Sequence, residues 1–167
     1  AHFTLLAAMN PCPCGYLYDP YHPCACSSSQ ILQYQKRLSG PFLDRVDLFL
    51  EISRTKFDDL SSEEAGESSS TIRERVQKVV ERQYERFRDT NILFNSEMDP
   101  PLIRKFCSLD TSCHQFLRLA VSKFHLSNRG YFRVLKVART LADFDGSPNI
   151  RECHLAEAFQ YRRRYDM

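Results

Sequence analysis

Four of the seven cysteines fall within fifteen positions, as Cys12-x-Cys14 and Cys24-x-Cys26 with nine residues between the pairs. Pro11, Pro13, Pro20 and Pro23 are interleaved with them, and Gly15 follows Cys14. Proline lacks the backbone N–H that helix interiors and strand ladders need, so residues 10–26 read as a loop. The prolines also stiffen that loop and lower the entropy lost when it closes. Two close thiolate pairs can surround one tetrahedral ion, for which zinc is the default candidate. Four thiolates leave no open coordination position, so such an ion is structural rather than catalytic. Cys-x-Cys is tighter than the usual spacing in zinc sites, which leaves an unmetallated loop or adventitious disulfides as alternatives. His22 lies between the pairs and is a substitute ligand. An odd cysteine count argues against a fully paired disulfide framework. With no secretion signal in view, the thiols point to a reducing, cytoplasmic setting. Cys107, Cys113 and Cys153 sit in patterned apolar segments and read as small core residues.

The 167 residues are 43% hydrophobic and 26% charged, which excludes wholesale disorder. The 23 basic and 21 acidic side chains give a net charge of +2, so bulk charge selects no partner. No apolar run reaches membrane-spanning length. None of the five glycines is followed by lysine, so the Gly-Lys-Ser/Thr end of a phosphate-binding loop is missing.

Phe3–Met9 is a short continuous apolar run that suits a strand buried on both faces. After the cysteine loop, Ser27 and Gln30 make a capping-box pattern, followed by a helical face of Ile31, Leu32, Gln35 and Leu38. Ser39-Gly-Pro41 ends it. Val46, Leu48, Leu50 and Ile52 alternate with other residues and read as a second strand. Residues 53–70, with Asp58-Asp59 and Glu63-Glu64 among serines, read as a linker or exposed loop. From there the pattern is helical, with stripes through Ile72–Phe87, Leu102–Phe106, Cys113–Phe124, Tyr131–Ala142 and Leu155–Phe159. Asp99 before Pro100, and Asp110, are N-cap candidates. The expectation is an α/β piece over residues 1–54, a linker over 55–70 and a mainly α-helical bundle over 71–167. The first part has too few strands to close a core alone, which suggests truncation.

Several longer runs carry a resemblance. They are Ala7-Ala-Met-Asn-Pro-Cys-Pro-Cys-Gly15, Arg37-Leu-Ser-Gly-Pro-Phe-Leu-Asp-Arg-Val-Asp47 and Ser69-Ser-Thr-Ile-Arg-Glu-Arg-Val76. Further on stand Leu126-Ser-Asn-Arg129, Val137-Ala-Arg-Thr-Leu-Ala-Asp143 and His154-Leu-Ala-Glu-Ala-Phe-Gln-Tyr-Arg162. In this order, over nearly the whole chain, they resemble the bacterial ComM/YifB-type magnesium-chelatase-like AAA+ ATPases. The minichromosome-maintenance helicases are a related family. The resemblance implies the end of an AAA+ core followed by its helical lid, with the nucleotide-binding loop upstream. ATP and magnesium then belong to the longer parent, and this chain is catalytically silent by itself.

The resemblance also implies roles. Asn10 matches sensor 1, whose amide orients the attacking water and senses the γ-phosphate. By itself, Asn before Pro is a common turn starter. Arg45 matches an arginine finger that reaches a neighbouring subunit's nucleotide. The plain alternative is an ion pair with Asp44 or Asp47. Arg37 is a weaker finger candidate, placed to support the same interface. Arg129 matches sensor 2, linking nucleotide state to the lid, and a cation there opposes the helix dipole. Arg133 and Lys136 extend the Arg129 stripe and read as a solvated helix face. Arg162-Arg-Arg164 and the mixed-charge helix from Arg73 to Arg88 are weaker candidates for nucleic-acid backbone.

Three readings follow. One is a ring-forming, hexameric DNA motor of identical subunits that drives branch migration. Another is a magnesium-chelatase-type ATPase subunit. The last is a non-enzymatic, zinc-stapled nucleic-acid-binding module.

Overall fold

The computed structural model describes residues 3–52, 55 and 66–162. The chain divides into two compact units. One comprises the described residues of Ala1–Val46 and Glu51–Ser61, the other those of Asp47–Leu50 and Ser62–Met167.

In the first unit, helix α1 spans Ser28–Gln35 and α2 spans Gly40–Leu43. The capping box is formed: Gln30 N–H donates to Ser27 Oγ at 3.3 Å and Ser27 N–H donates to Gln30 Oε1 at 2.8 Å. Ser39-Gly-Pro does more than end a helix. Ser39 Oγ accepts from Phe42 N–H at 3.3 Å, so the same residues start α2 with Pro41 in its first turn. The two expected strands are not formed among the described residues. Phe3–Met9 and residues 46–52 have no ladder partner, and Leu6 and Ile52 are 95% and 91% exposed. An apolar run becomes a strand only when neighbouring backbone takes up its N–H and C=O groups. The described chain is thus mostly helical, and its α/β character is not seen. Most of the expected linker lies outside the described residues. Its last residues are not loop, because Ser68 caps a helix that begins at Ser69.

The second unit holds α3 (Ser69–Arg86), a 3-10 turn (Asn95–Glu97), α4 (Pro100–Phe106), α5 (Thr111–Lys123), α6 (Asn128–Phe144) and α7 (Glu152–Gln160). Asp99 and Asp110 both cap as expected, accepting from Leu102 N–H at 2.9 Å and Cys113 N–H at 2.8 Å. Helix α6 is the centre, packed by α3, α4, α7 and the 3-10 turn. No residue from Gly130 to Asp143 is exposed. Around it lie Phe87, Met98, Ile103, Leu117 and Leu155, all nearly inaccessible. Phe87 meets Phe106 edge to face at 5.3 Å. Cys107 and Cys113 are buried there, and burial pushes both thiols up to about 11. Cys153 differs from the expectation: it is exposed on α7. In α3 the apolar stripe is core only toward its C-terminal end, since Ile72 and Val76 are exposed.

Two helix ends show what turns the chain. After α6, Gly146 has φ 66°, and Ser147 N–H donates back to Ala142 O at 2.8 Å. After α5 the same left-handed position is held by His125 at φ 46°, with Leu126 N–H donating to Val121 O at 3.3 Å. A side chain at this position crowds the backbone, which glycine avoids.

A buried polar cluster fastens α3 and the 3-10 turn to α6. Asp143, 1% exposed, receives both guanidinium ends of Arg86, one at 2.7 Å, and Nε of Arg139 at 3.2 Å. Asn95 bridges the set. Its Nδ2 donates to Asp143 Oδ2 at 2.8 Å and to Thr140 Oγ1 at 3.0 Å, and its Oδ1 accepts from Arg86 at 2.9 Å. Arg139 also donates to the carbonyls of Ser147 and Pro148, which fixes the turn after α6. Removing the carboxylate leaves two guanidiniums poorly compensated. Asp143→Ala is expected to destabilise the protein by about 3–5 kcal/mol in urea unfolding. His125→Gly is expected to stabilise it by about 1 kcal/mol in the same assay.

Candidate functional site

The cysteine loop folds so that all four Sγ atoms lie within 4.8 Å of one another. Cys12–Cys14, Cys12–Cys24 and Cys14–Cys24 are separated by 3.4, 3.7 and 3.5 Å. These are too long for disulfide bonds of about 2.05 Å. They approach the edge of about 3.8 Å that a tetrahedron with metal–sulfur bonds of about 2.3 Å requires. Cys12 is fully buried and the other three are half-buried.

Local sequence explains the geometry. Gly15 takes φ 86°, and its N–H donates to Cys12 O at 3.1 Å, closing a tight turn around the first pair. The Tyr16 N–H, aimed at the sulfur, holds the Cys14 thiol down to about 6, with smaller contributions from Cys12, Cys26 and the Ala25 backbone. Gln35 Nε2 on α1 donates to Pro11 O at 3.2 Å and ties the loop to the helix that follows. His22 is not among the converging groups. It is stacked on Tyr16 at 5.2 Å and lies 3.6 Å from Asp19 Oδ1.

The other site candidates are placed as follows. Asn10 is exposed at the mouth of the cysteine loop, its amide 3.7 Å from where a Cβ on Gly15 would lie. Arg45 is exposed just after α2, and its guanidinium donates to the Pro41 carbonyl. It makes no ion pair among the described residues, and Asp47 is engaged elsewhere. Arg129 is exposed in the first turn of α6. Arg133 and Lys136 correct the expectation of a solvated stripe. Arg133 Nε meets Asp47 Oδ1 at 2.9 Å with its side chain only 12% exposed. Lys136 Nζ donates to Ser96 O at 2.8 Å. Helix α6 is clad on every side after its first turn, so its cations are clasps. Arg162 lies against Gly130, where any side chain would collide with the guanidinium. Arg163 and Arg164 lie outside the described residues.

A second group of metal-capable residues, Asp145, Cys153 and His154, is better explained as a helix cap. Arg151 N–H donates to His154 Nδ1 at 3.0 Å, so in the neutral ring Nε2 carries the proton and faces Asp145 Oδ2 at 3.0 Å. No ring lone pair is left for a metal. That hydrogen bond from His154 holds the Asp145 carboxyl below the usual carboxylate range.

Two matched regions cover these features. Residues 66–162 match the model of the magnesium chelatase subunit ChlI C-terminal family, and residues 1–60 match that of magnesium chelatase subunit ChlI. The chain belongs to the magnesium chelatase subunit ChlI family. Its family relatives include the uncharacterized protein YifB of Escherichia coli, 46% identical over 97% of this chain and 31% of the relative. The competence protein ComM of Haemophilus influenzae is 43% identical over the same shares. The uncharacterized protein Rv2897c of Mycobacterium tuberculosis is 38% identical over 96% of this chain and 32% of the relative. The chain thus spans about a third of the length of these family members. No helix among the described residues is long and apolar enough to cross a membrane.

The Arg86–Asn95–Asp143 cluster was not read from sequence. Its only local signal is Arg139 four residues before Asp143 on a helix face otherwise lined by Val134, Leu135, Ala138 and Ala142. For the cysteine site the expectation is concrete. Cobalt(II) titration of the reduced protein should saturate at one ion per chain with a tetrahedral thiolate spectrum. Cys12→Ser should abolish it. Because metal binding requires thiolates, and the Cys24 and Cys26 thiols are held up while that of Cys14 is held down, the affinity should weaken progressively as pH falls across the neutral range.

Proposed function

We propose that this chain supplies the phosphate-sensing end and the helical lid of an AAA+ ATPase that acts on DNA as a hexameric ring of identical subunits. The observation that carries this reading is the placement of two arginines. Arg45 and Arg129 are exposed, whereas Arg133 is paired with Asp47, and Arg86 and Arg139 with the buried Asp143. Arg129 stands in the first turn of α6 against the helix dipole, a position better suited to meeting an external anion than to stabilising the helix.

In this reading Asn10 is sensor 1 and orients the water that attacks the γ-phosphate. Arg45 is the finger that enters the neighbouring subunit's site and stabilises charge on the transferred phosphoryl group. Arg129 is sensor 2 and reports the γ-phosphate to α6. ATP and magnesium bind in the longer parent. Segments 3–9 and 46–52 become strands of the AAA+ core when the rest of that core pairs with them. Zinc is the ion we assign to the four cysteines, with a structural role: it fixes the loop that begins at Asn10. The similarity to a competence protein supports DNA as the substrate.

The name of the family supports a second reading, in which the same ATPase chemistry loads magnesium into a porphyrin. The two readings part in a host lacking the gene: loss of porphyrin metallation favours the second, a recombination defect the first. In the full-length protein, Arg45→Ala is expected to lower DNA-stimulated ATP turnover by about 1,000-fold or more. Steady-state turnover at the wild-type rate would remove the finger assignment.

A further inference from the structure

The four-cysteine cluster combines close sulfurs with access for solvent. Cys12–Cys14, Cys14–Cys24 and Cys12–Cys24 stand at 3.4, 3.5 and 3.7 Å. Local turns hold them there, through the Gly15 N–H on Cys12 O and Gln35 on Pro11 O. Only Cys12 is enclosed, while Cys14, Cys24 and Cys26 are half-buried. Buried structural cysteines are inert, whereas a thiolate that solvent reaches is open to oxidants. A coordinating thiol is deprotonated outright, so ligand cysteines at an open site remain nucleophiles. The other cysteines lack this combination. Cys107 and Cys113 lie inside the helical core, where burial pushes their thiols up to about 11. Cys153 is exposed, but the groups gathered beside it are Asp145 and His154, which supply no second thiol.

We infer that this cluster is a peroxide-sensitive redox site, in which oxidation joins Cys14 to Cys24 in a reversible disulfide. Cys14–Cys24 is a close pair with solvent access at both sulfurs, and it links the two halves of the loop. The oxidant is a hydroperoxide, with hydrogen peroxide as the simplest case. One thiolate of the pair attacks a peroxide oxygen. A sulfur–oxygen bond forms, the O–O bond breaks, and the departing hydroxide takes a proton to become water. The attacking sulfur is now a sulfenic acid. The other thiolate attacks that sulfur, so the S–S bond forms and the S–O bond breaks. A second hydroxide leaves and is protonated to water. In sum the two thiols lose two electrons and two protons, and the peroxide becomes two waters. A disulfide has no thiolate to offer, so Cys12 and Cys26 alone cannot complete a tetrahedral site. Oxidation therefore releases a bound ion, and reduction restores the site. The release rests on the zinc assignment given above; the disulfide does not.

The test uses the full-length wild-type protein, reduced, in zinc-loaded and metal-free forms, and treated with hydrogen peroxide. Peptide mass mapping should find a Cys14–Cys24 disulfide, two hydrogens lighter than the thiol pair, in both forms. In the loaded form, zinc captured by a chromogenic chelator should rise in step with that disulfide to one ion per chain. Dithiothreitol should return both thiols and the ability to rebind zinc. Cys107 and Cys113 should stay reduced throughout, which shows that the helical unit remains folded during the reaction. A first disulfide between any other pair overturns the inference. So does passage of either sulfur to sulfinic acid without a partner, or survival of both thiols at a peroxide dose that oxidises the exposed Cys153. If the protein takes up no zinc, the zinc assignment falls by itself, and mapping of the metal-free form still decides the redox site.

Discussion

A single buried carboxylate organises the helical unit. Asp143 is shared by Arg86 from α3 and Arg139 from its own helix, with Asn95 closing the remaining gap. Desolvating these charges is costly, and the arrangement is tolerated because each polar atom is matched. No buried side-chain nitrogen or oxygen among the described residues lacks a partner. The geometry has consequences away from the cluster. Arg139 pins the carbonyls after α6, which sets the turn at Gly146 and the direction in which α7 starts. Arg86 fixes the end of α3, and Asn95 fixes the 3-10 turn that leads to α4. An apolar cluster of the same volume would hold the helices together with less orientational precision.

Much of the helical unit was legible in the sequence because its signals are local. An Asp or Ser side chain three residues ahead of an amide makes the same cap wherever it occurs, so Asp99, Asp110 and Ser27 could be read directly. The cysteine loop was legible for a similar reason: short spacings bring sulfurs together whatever surrounds them. The strands were not, because a strand is completed by another segment and residues 3–9 and 46–52 have none here. The stripe of Arg133 and Lys136 was misread as solvated because periodicity shows which residues share a face, and says nothing about whether the opposite face is covered. Here Asp47 and Ser96 cover it.

The candidate site has the same division. Four thiols converge through local turns, and an amide N–H at Tyr16 favours the thiolate of Cys14. Asn10 borders this loop and is itself exposed. Arg45 and Arg129 are exposed, and the Arg45 guanidinium donates to the Pro41 carbonyl of its own turn. Their exposure is what a residue needs if its partner is a phosphate that arrives with nucleotide or with a neighbouring subunit.

The segments without a strand partner have a practical consequence for solubility. An exposed apolar run with free backbone groups is a template for pairing with another copy, and charged neighbours are the usual protection. Residues 46–52 have Asp47 and Glu51 as such gatekeepers. The run Phe3-Thr-Leu-Leu-Ala-Ala-Met9 has no charge at all, and Phe3 and Leu6 are 79% and 95% exposed. Aggregation of this chain in isolation would therefore begin at its first described residues, and a single lysine in that run would be the most economical remedy.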